Sequence, residues 1–341
     1  MVTIKDIAAE AGVSKSTVSR VLTNNGYVGE ETRQKILRVM EERGFQPSES
    51  ARNLSSKTTN TIGVVVPEIS NPFYMEVLEG IARVVDAENL TIIYCNTDNN
   101  AAKEAKALQM LEGQRVRGMI LAPAIDYRDA ASSRRVKELL GKINAPAVLL
   151  DRDIENSHMD SVIYDNFGSA RCAAEELIKA GNRRIGMITG DMNLKIARDR
   201  FQGYAQAMQE HQLLIEDRYI YYGDFTTETA YQLSCSMLDG QELPDAVICS
   251  NNRTTLGLLR AIRERNMKFG REIAMIGIDH IPVLDIIDYK YSYVTRDTVG
   301  MGETAMQLLL KRMENPKAEP VSVVVPYQLV LKGAERKVHY R

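Results

Sequence analysis

Lys15, Ser16, Thr17, Ser19 and Arg20 stand within six positions, and on a helix Arg20 falls one turn beyond Ser16 and Thr17 on the same side. Lysine and arginine donate to guanine O6 and N7, and serine or threonine hydroxyls bond bases or phosphates. At the start of a helix laid in a DNA major groove, such a set reads base edges. The same residue types also suit the solvated face of a small helical bundle, which needs polar groups whatever it binds.

A second set is scattered along the chain, mostly at the ends of apolar runs. Asp151 follows AVLL, Asp279 follows MIGI, Asn251 follows VICS and Phe225 follows YYGD, while Arg200 lies in RFQGY and Phe73 in the loop after the first such run. Polar side chains of this kind bond neighbouring hydroxyls in pairs, and an aromatic face covers the C–H surface of a sugar ring. Each has a plainer role open to it. A strand-end carboxylate caps the next helix, Arg200 pairs with Asp279, and Phe225 fills core.

Enzyme motifs are missing. The sequence contains no GxSxG elbow, no GxxxxGK[ST], no HExxH, and no GxGxxG opening a helix after a strand. Ile188-Thr189-Gly190-Asp191 is too short for a phosphate loop. Cys95, Cys172, Cys235 and Cys249 are widely spaced, and the four histidines are equally scattered. Reduced, buried thiols in a cytoplasmic protein are expected, with no metal site and no cofactor.

The elements that position these residues come in two styles. Three short helices are expected over residues 4–10, 15–22 and 31–43, with Gly12 turning the chain and Ser14 capping the second. Ile36, Leu37, Val39 and Met40 supply the inward side of the third. Residues 47–59 have a polar linker composition that could hold a short helix starting at Ser48. From Thr61 the pattern changes to apolar runs alternating with amphipathic stretches. TIGVVV, LTIIYC, GMILA and AVLLD form one series; SVIYD, RIGMIT, YIYYGD, AVICS and IAMIGID form a second. Near-continuous apolar strands separated by helices predict parallel sheets covered on both faces, here two sheets with a cleft at the carboxyl ends of their strands. SYVTRD and VSVVVPYQLVLK are expected to return the chain between the lobes.

Composition sets the outer limits. The 341 residues are 44% apolar and 26% charged, enough for two or three ordinary domains. No run approaches the ~20 apolar residues of a membrane span, and MVTIKDIAAEAGVSK lacks the pattern of a signal peptide. A net charge of −2 excludes coating nucleic acid by bulk charge, and residues 1–60 hold only nine Lys/Arg against seven Asp/Glu. DNA binding would therefore rest on a small shaped surface duplicated by dimerisation.

The stretch TIKDIAAEAGVSKSTVSRVL closely resembles the DNA-binding domain of the LacI/GalR family of bacterial transcriptional regulators, and ARNL, TNTIGVVVPEISNPFY, LLDRD, YDNFGSA, ARDRFQGY and IGIDH continue the resemblance in order along the chain. It implies an all-α helix-turn-helix DNA-binding domain over 1–46 and a hinge helix and linker over 47–59. Residues 60–341 are then an α/β periplasmic-binding-protein-like sensor domain of two parallel-sheet lobes. The N-lobe is expected at about 60–160 and 292–320, the C-lobe at about 161–290 and 321–341. Base reading is implied for Lys15, Ser16 and Arg20, and phosphate contact for Thr17 and Ser19, with Thr3 also at the DNA. In the hinge, Ala51, Arg52 and Leu54 are implied to meet the minor groove, Leu54 wedging a base step. Arg200, Asp279, Phe225 and Asn251 match usual effector positions, with Phe73 and Asp151 as further candidates.

The expected protein is a homodimeric repressor of carbohydrate-related genes, bound to a pseudo-palindromic operator and controlled by a sugar or sugar derivative. A regulator answering to a protein partner, or to no small ligand, is the alternative; a sugar-processing enzyme is a further one. No Leu-rich heptad tail closes the sequence, which favours a dimer over a tetramer. Departures from the family pattern fall near the cleft. Asn251-Asn252 is followed by Arg253, His280 replaces a common second acid, and Ala122-Pro123 stands in a pocket-facing loop that is polar in some sugar binders of the family. Fewer acids beside an arginine suggest an anionic effector, such as a sugar acid or phosphate.

Overall fold

The computed structural model describes residues 2–23, 26–45, 59–127, 130–143, 145–154, 157–267 and 272–337. Three helices open the chain: α1 Ile4–Ala11, α2 Lys15–Thr23 and α3 Glu30–Glu42. Thr3 starts α1, its backbone N–H and its hydroxyl each donating to Asp6 at 2.8 Å. Gly12 ends that helix in the left-handed conformation at φ +67°, where a Cβ would be penalised. Ser14 then starts α2 by accepting the Thr17 N–H at 3.2 Å. Ile7, Ala8, Ala11, Val18, Val21, Ile36 and Val39 close the core. Leu37, expected inside, is 43% exposed, because the inward stripe runs through Ile36, Val39 and Met40 and Leu37 lies off it.

Beyond residue 59 strands and helices alternate. The first run is β1 Thr61–Val66, α4 Pro72–Ala87, β2 Thr91–Asn96, α5 Ala101–Gln114, β3 Gly118–Leu121, α6 Ala130–Lys142, β4 Ala147–Asp151 and β5 Asp160–Tyr164. It is followed by α7 Asn166–Lys179, β6 Ile185–Ile188, α8 Lys195–Glu210, β7 Ile220–Tyr221, α9 Thr227–Leu238, β8 Ala246–Cys249, α10 Asn252–Glu264, β9 Ala274–Ile278, α11 Pro282–Ile286 and β10 Ser292–Thr295. The chain then adds α12 Thr298–Glu314, β11 Ser322–Val325 and β12 Gln328–Val330.

Two six-stranded sheets result, ordered β11-β5-β4-β3-β1-β2 and β12-β10-β9-β8-β6-β7. All neighbours are parallel except β10 and β12. Helices cover both faces, so Ile62, Val64, Ile120, Val148 and Val162 in the first sheet, and Met187, Ile248, Ile276 and Val294 in the second, are buried.

The expected lobe boundaries need correction. The strand at 160–164 belongs to the first sheet, pairing with β4 from Val148↔Asp160 to Asp151↔Ile163. Residues 292–295 belong to the second sheet and 322–325 to the first, beside β5. The chain therefore changes lobe after Tyr164, after Thr295 and after Val325, in each case one strand later than expected. Apolar alternation marks a strand but not the sheet it joins. Here Asp160 anchors β5 to the first lobe through Arg312 of α12, at 2.6 and 2.8 Å.

Candidate ligand cleft and nucleic-acid interface

Strand ends carry the cleft. Asp151 closes β4, Asp279 follows β9 and Phe225 lies beyond β7, and all three have left-handed backbones at φ +60°, +75° and +68°. Aspartate tolerates this region and phenylalanine rarely enters it; such strain gathers at binding sites. Gly190 makes room for the ring of Phe225, since a Cβ at that glycine would stand 2.0 Å from it. Between the two sheets lies a cavity of about 610 Å³ whose lining includes Phe73, Asp151, Arg200, Phe225, Asn251 and Asp279. The six residues expected from sequence are thus brought together.

Their partners decide among the plainer roles. Arg200 does not pair with Asp279. Its Nε donates to Asn166 Oδ1 at 2.8 Å and its Nη1 to the Ser250 carbonyl, with the guanidinium 5.7 Å from the centre of the Phe225 ring. Burial pushes its pKa down, and Arg296 acts in the same direction while Asp279 opposes. Asn251 caps α10, its side chain accepting the Thr254 N–H at 2.8 Å and donating to the Phe225 carbonyl at 3.2 Å. That is the plainer, structural role, and it also fixes the loop holding Phe225. Asp151 accepts from the Tyr74 hydroxyl at 3.1 Å.

Sequence reasoning passes over Arg296, the cation nearest both cleft aspartates. Its Nη1 stands 3.0 Å from Asp279 Oδ1 and its Nη2 3.7 Å from Asp151 Oδ1, and its guanidinium lies 4.2 Å from the Phe73 ring centre and 4.0 Å from that of Tyr164. Burial works against its charge, but Asp279 and Asp151 outweigh burial and its pKa is raised. The usable signal was present. Arg296 directly follows the apolar strand β10, just as Asp279 follows β9 and Asp151 ends β4.

The cleft lining does not suit the anionic effector suggested by the sequence. His280 stacks on Tyr293 at 4.9 Å and bonds Asp285 at 2.9 Å, outside the cavity lining. Arg253 bonds Glu68 at 2.6 Å and Ser70 at 2.9 Å. Glu68, Asp98, Asp126, Asp151, Asp191, Asp224 and Asp279 line the cavity against Arg152, Arg200 and Arg296. Ala122 is core, and the Pro123 carbonyl is used by Arg152 Nη1 at 3.0 Å.

The lobes also meet across the cleft mouth. Besides Arg253 with Glu68 and Ser70, Asn252 Nδ2 donates to Asn71 Oδ1 at 3.1 Å and Arg198 Nη2 to Asp126 at 2.6 Å. Each joins a helix of the second lobe to a loop of the first.

On the DNA-binding side, Lys15, Ser16 and Arg20 of α2 are exposed on one face, with Thr17 and Ser19 half-buried beside them. The Thr17 and Ser16 hydroxyls bond Ser14 at 2.9 and 2.7 Å, so both are held at the helix start. Tyr27, not singled out by sequence, is 93% exposed and next to Gly26, along which the Arg20 stem runs. Ala51, Arg52 and Leu54 lie outside the described residues. Among the described residues no group of acids, histidines and cysteines could hold a metal ion, and no helix is long and apolar enough to cross a membrane.

Residues 3–48 match the bacterial regulatory proteins of the lacI family, and residues 174–334 match the periplasmic binding protein-like domain. Over 328 residues the chain is 30% identical to the HTH-type transcriptional regulator RegA of Clostridium saccharobutylicum, covering 96% of this chain and 97% of that protein. The chain belongs to the LacI family. It is a DNA-binding transcriptional regulator, not an enzyme. It is also 29% identical to the ribose operon repressor of Halalkalibacterium halodurans, covering 97% of this chain and 96% of the relative. Its fold matches a lac repressor dimer bound to operator and the anti-inducer ONPF, with a TM-score of 0.84, 24% identity and coverage of 98% and 99%. The LacI-family architecture explains the division of labour seen here, with an N-terminal reader of DNA and a two-lobed domain behind it.

Proposed function

We propose that this LacI-family regulator is a cytoplasmic, homodimeric repressor whose grip on a pseudo-palindromic operator is set by a small, neutral, hydroxyl-rich effector in the inter-lobe cleft. The observation that carries the reading is the convergence of Asp151, Asp279, Arg200 and Arg296 with the rings of Phe73 and Phe225 in one cavity. Carboxylates accept from hydroxyls, guanidiniums donate to them, and aromatic faces cover sugar C–H surface. A net anion would meet more carboxylates than guanidiniums there. On the DNA side, Lys15, Ser16 and Arg20 read bases, and Thr3, Thr17 and Ser19 hold the backbone. Ala51, Arg52 and Leu54 make the hinge contact in the minor groove. A ribose operon repressor among the relatives supports a sugar as the class.

The test is calorimetry of the whole protein against neutral sugars, sugar acids and sugar phosphates, joined to selection of bound DNA from a random pool with and without each compound. Binding of a neutral sugar that alters operator affinity is expected. Operator binding with no response to any of these compounds would overturn the effector reading and favour a protein partner.

A further inference from the structure

Four buried polar atoms around Arg296 lack an aligned hydrogen-bond partner among the described residues: Asp151 Oδ1, Asp279 Oδ1, and Nε and Nη1 of Arg296 itself. Arg296 and Asp279 are close enough for an ion pair at 3.0 Å, but off the line of a hydrogen bond. The three residues are 5%, 8% and 5% exposed, and all three line the cavity. Buried polar groups in folded proteins are almost always bonded, so four exceptions in one cluster call for an explanation. This cluster offers two acceptors and two donors, one acceptor from each lobe.

The guanidinium cannot swing away easily. Phe73 and Tyr164 sandwich it at 4.2 and 4.0 Å, and the residue sits where the chain passes from β10 to α12 between the lobes. Together with Arg200, which also interacts with Asp279 and Asp151, it balances the two carboxylates, so a neutral group is favoured there over either a cation or an anion.

We propose that Arg296 is a specificity-determining residue of the cleft. With the Oδ1 atoms of Asp151 and Asp279 it takes a ligand bearing two adjacent hydroxyls, each donating to one carboxylate and accepting from the guanidinium. The proposal rests on the reading of the cleft as a site for a small polyhydroxy effector, and it adds which chemical feature the cleft selects and which residue selects it. Arginine suits the task because its planar fork presents fixed donors, whereas lysine is a point charge on a flexible stem.

The experiment is calorimetry of the full chain with four probe classes: neutral aldoses, their monodeoxy derivatives, uronic acids and amino sugars. Wild-type protein is expected to prefer a neutral aldose and to lose about tenfold or more in affinity when either hydroxyl of one adjacent pair is removed, since the site's buried groups are then left unpaired. Arg296→Met removes the cation between two carboxylates, and its expected signature is a changed rank order, with an amino sugar overtaking the neutral aldose. A merely structural role would lower all affinities alike. Arg296→Lys keeps the charge and covers the case in which the methionine variant does not fold. It is expected to lose about tenfold for the neutral aldose without gaining the amino sugar. If wild type binds a neutral aldose and the variants keep its rank order and its deoxy penalties, the Arg296 proposal falls while the cleft reading stands. If wild type binds none of the four classes, both fall.

Discussion

Arg253 at the start of α10 in the second lobe reaches across the cleft mouth and places its Nη1 2.6 Å from Oε1 of Glu68 in the first lobe. The two side chains are only 18% and 31% exposed, so solvent screens the pair incompletely. Arg253 looked from sequence like an added positive charge for binding an anion. In the fold that charge is spent on joining the lobes.

That contact yields a prediction. A salt bridge this close to the surface contributes about 0.5–1 kcal/mol, and it exists only when the lobes are near each other. Arg253→Ala should therefore lower the closed population and weaken effector binding by about two- to fivefold. Glu68→Gln should do the same, and the double variant no more than either single one. Calorimetry with the binding sugar reads the cycle. Simple additivity would show that the two residues do not act as a pair.

Gly190 gives a sharper test of the cleft. A Cβ there would sit 2.0 Å from the Phe225 ring, whose own backbone is already strained at φ +68°. Gly190→Ala must displace that ring, at a cost of about 1–3 kcal/mol in overpacking. Effector affinity should fall at least about tenfold, while operator affinity without effector stays unchanged, because the strain lies within one lobe of the sensor. A gel-shift titration together with calorimetry separates the two. Equal loss of both activities would count against Phe225 as a ligand-facing ring.

How much of this was legible beforehand depends on how local the cause is. Gly12 and Ser14 mark the turn and the second helix through chemistry confined to a few residues, so those helices were readable. The strand-end rule found Asp151, Asp279 and Asn251 because apolar runs reveal where strands stop. Arg296 obeys the same rule but escaped, since its neighbours Phe73, Tyr164 and Asp279 come from three separate parts of the chain. The lobe assignment of 160–164 failed for a related reason. Which sheet a strand joins is decided by pairings such as Asp160 with Arg312, 152 positions apart. Side-chain direction was the least accessible property, as His280 and Arg253 demonstrate.

Asp245 predicts the acid limb of stability. Burial raises its pKa, but the backbone N–H groups of Arg184 and Arg183, the Arg184 side chain and Lys337 outweigh burial, and the net shift is strongly downward. A carboxylate depressed on folding stabilises above its unfolded pKa of about 4 and loses that contribution as pH falls below it. Asp245→Asn should cost about 1–3 kcal/mol at pH 7. Its stability should also change less steeply than wild type between about pH 4 and pH 2. Denaturant melts across that range measure the difference; parallel curves would assign the acid limb elsewhere, for example to Asp160.

Operator recognition should divide between α2 and the hinge. Arg20 is exposed on the face shared with Lys15 and Ser16, so Arg20→Ala should cost about 1–3 kcal/mol at the cognate half-site and relax base preference at one position in it. Leu54 carries no charge and makes no hydrogen bond through its side chain. If it wedges a base step, Leu54→Ala removes the kink and the surface that the kink brings into contact. Affinity should fall while half-site preference survives. The slope of log affinity against log salt should also stay near the wild-type value, because no phosphate contact is lost with a neutral side chain. Selected DNA pools for both variants, with binding measured at two or more salt concentrations, resolve the pair. Loss of base preference in both variants would refute the division, since a wedge and a base reader fail in different ways.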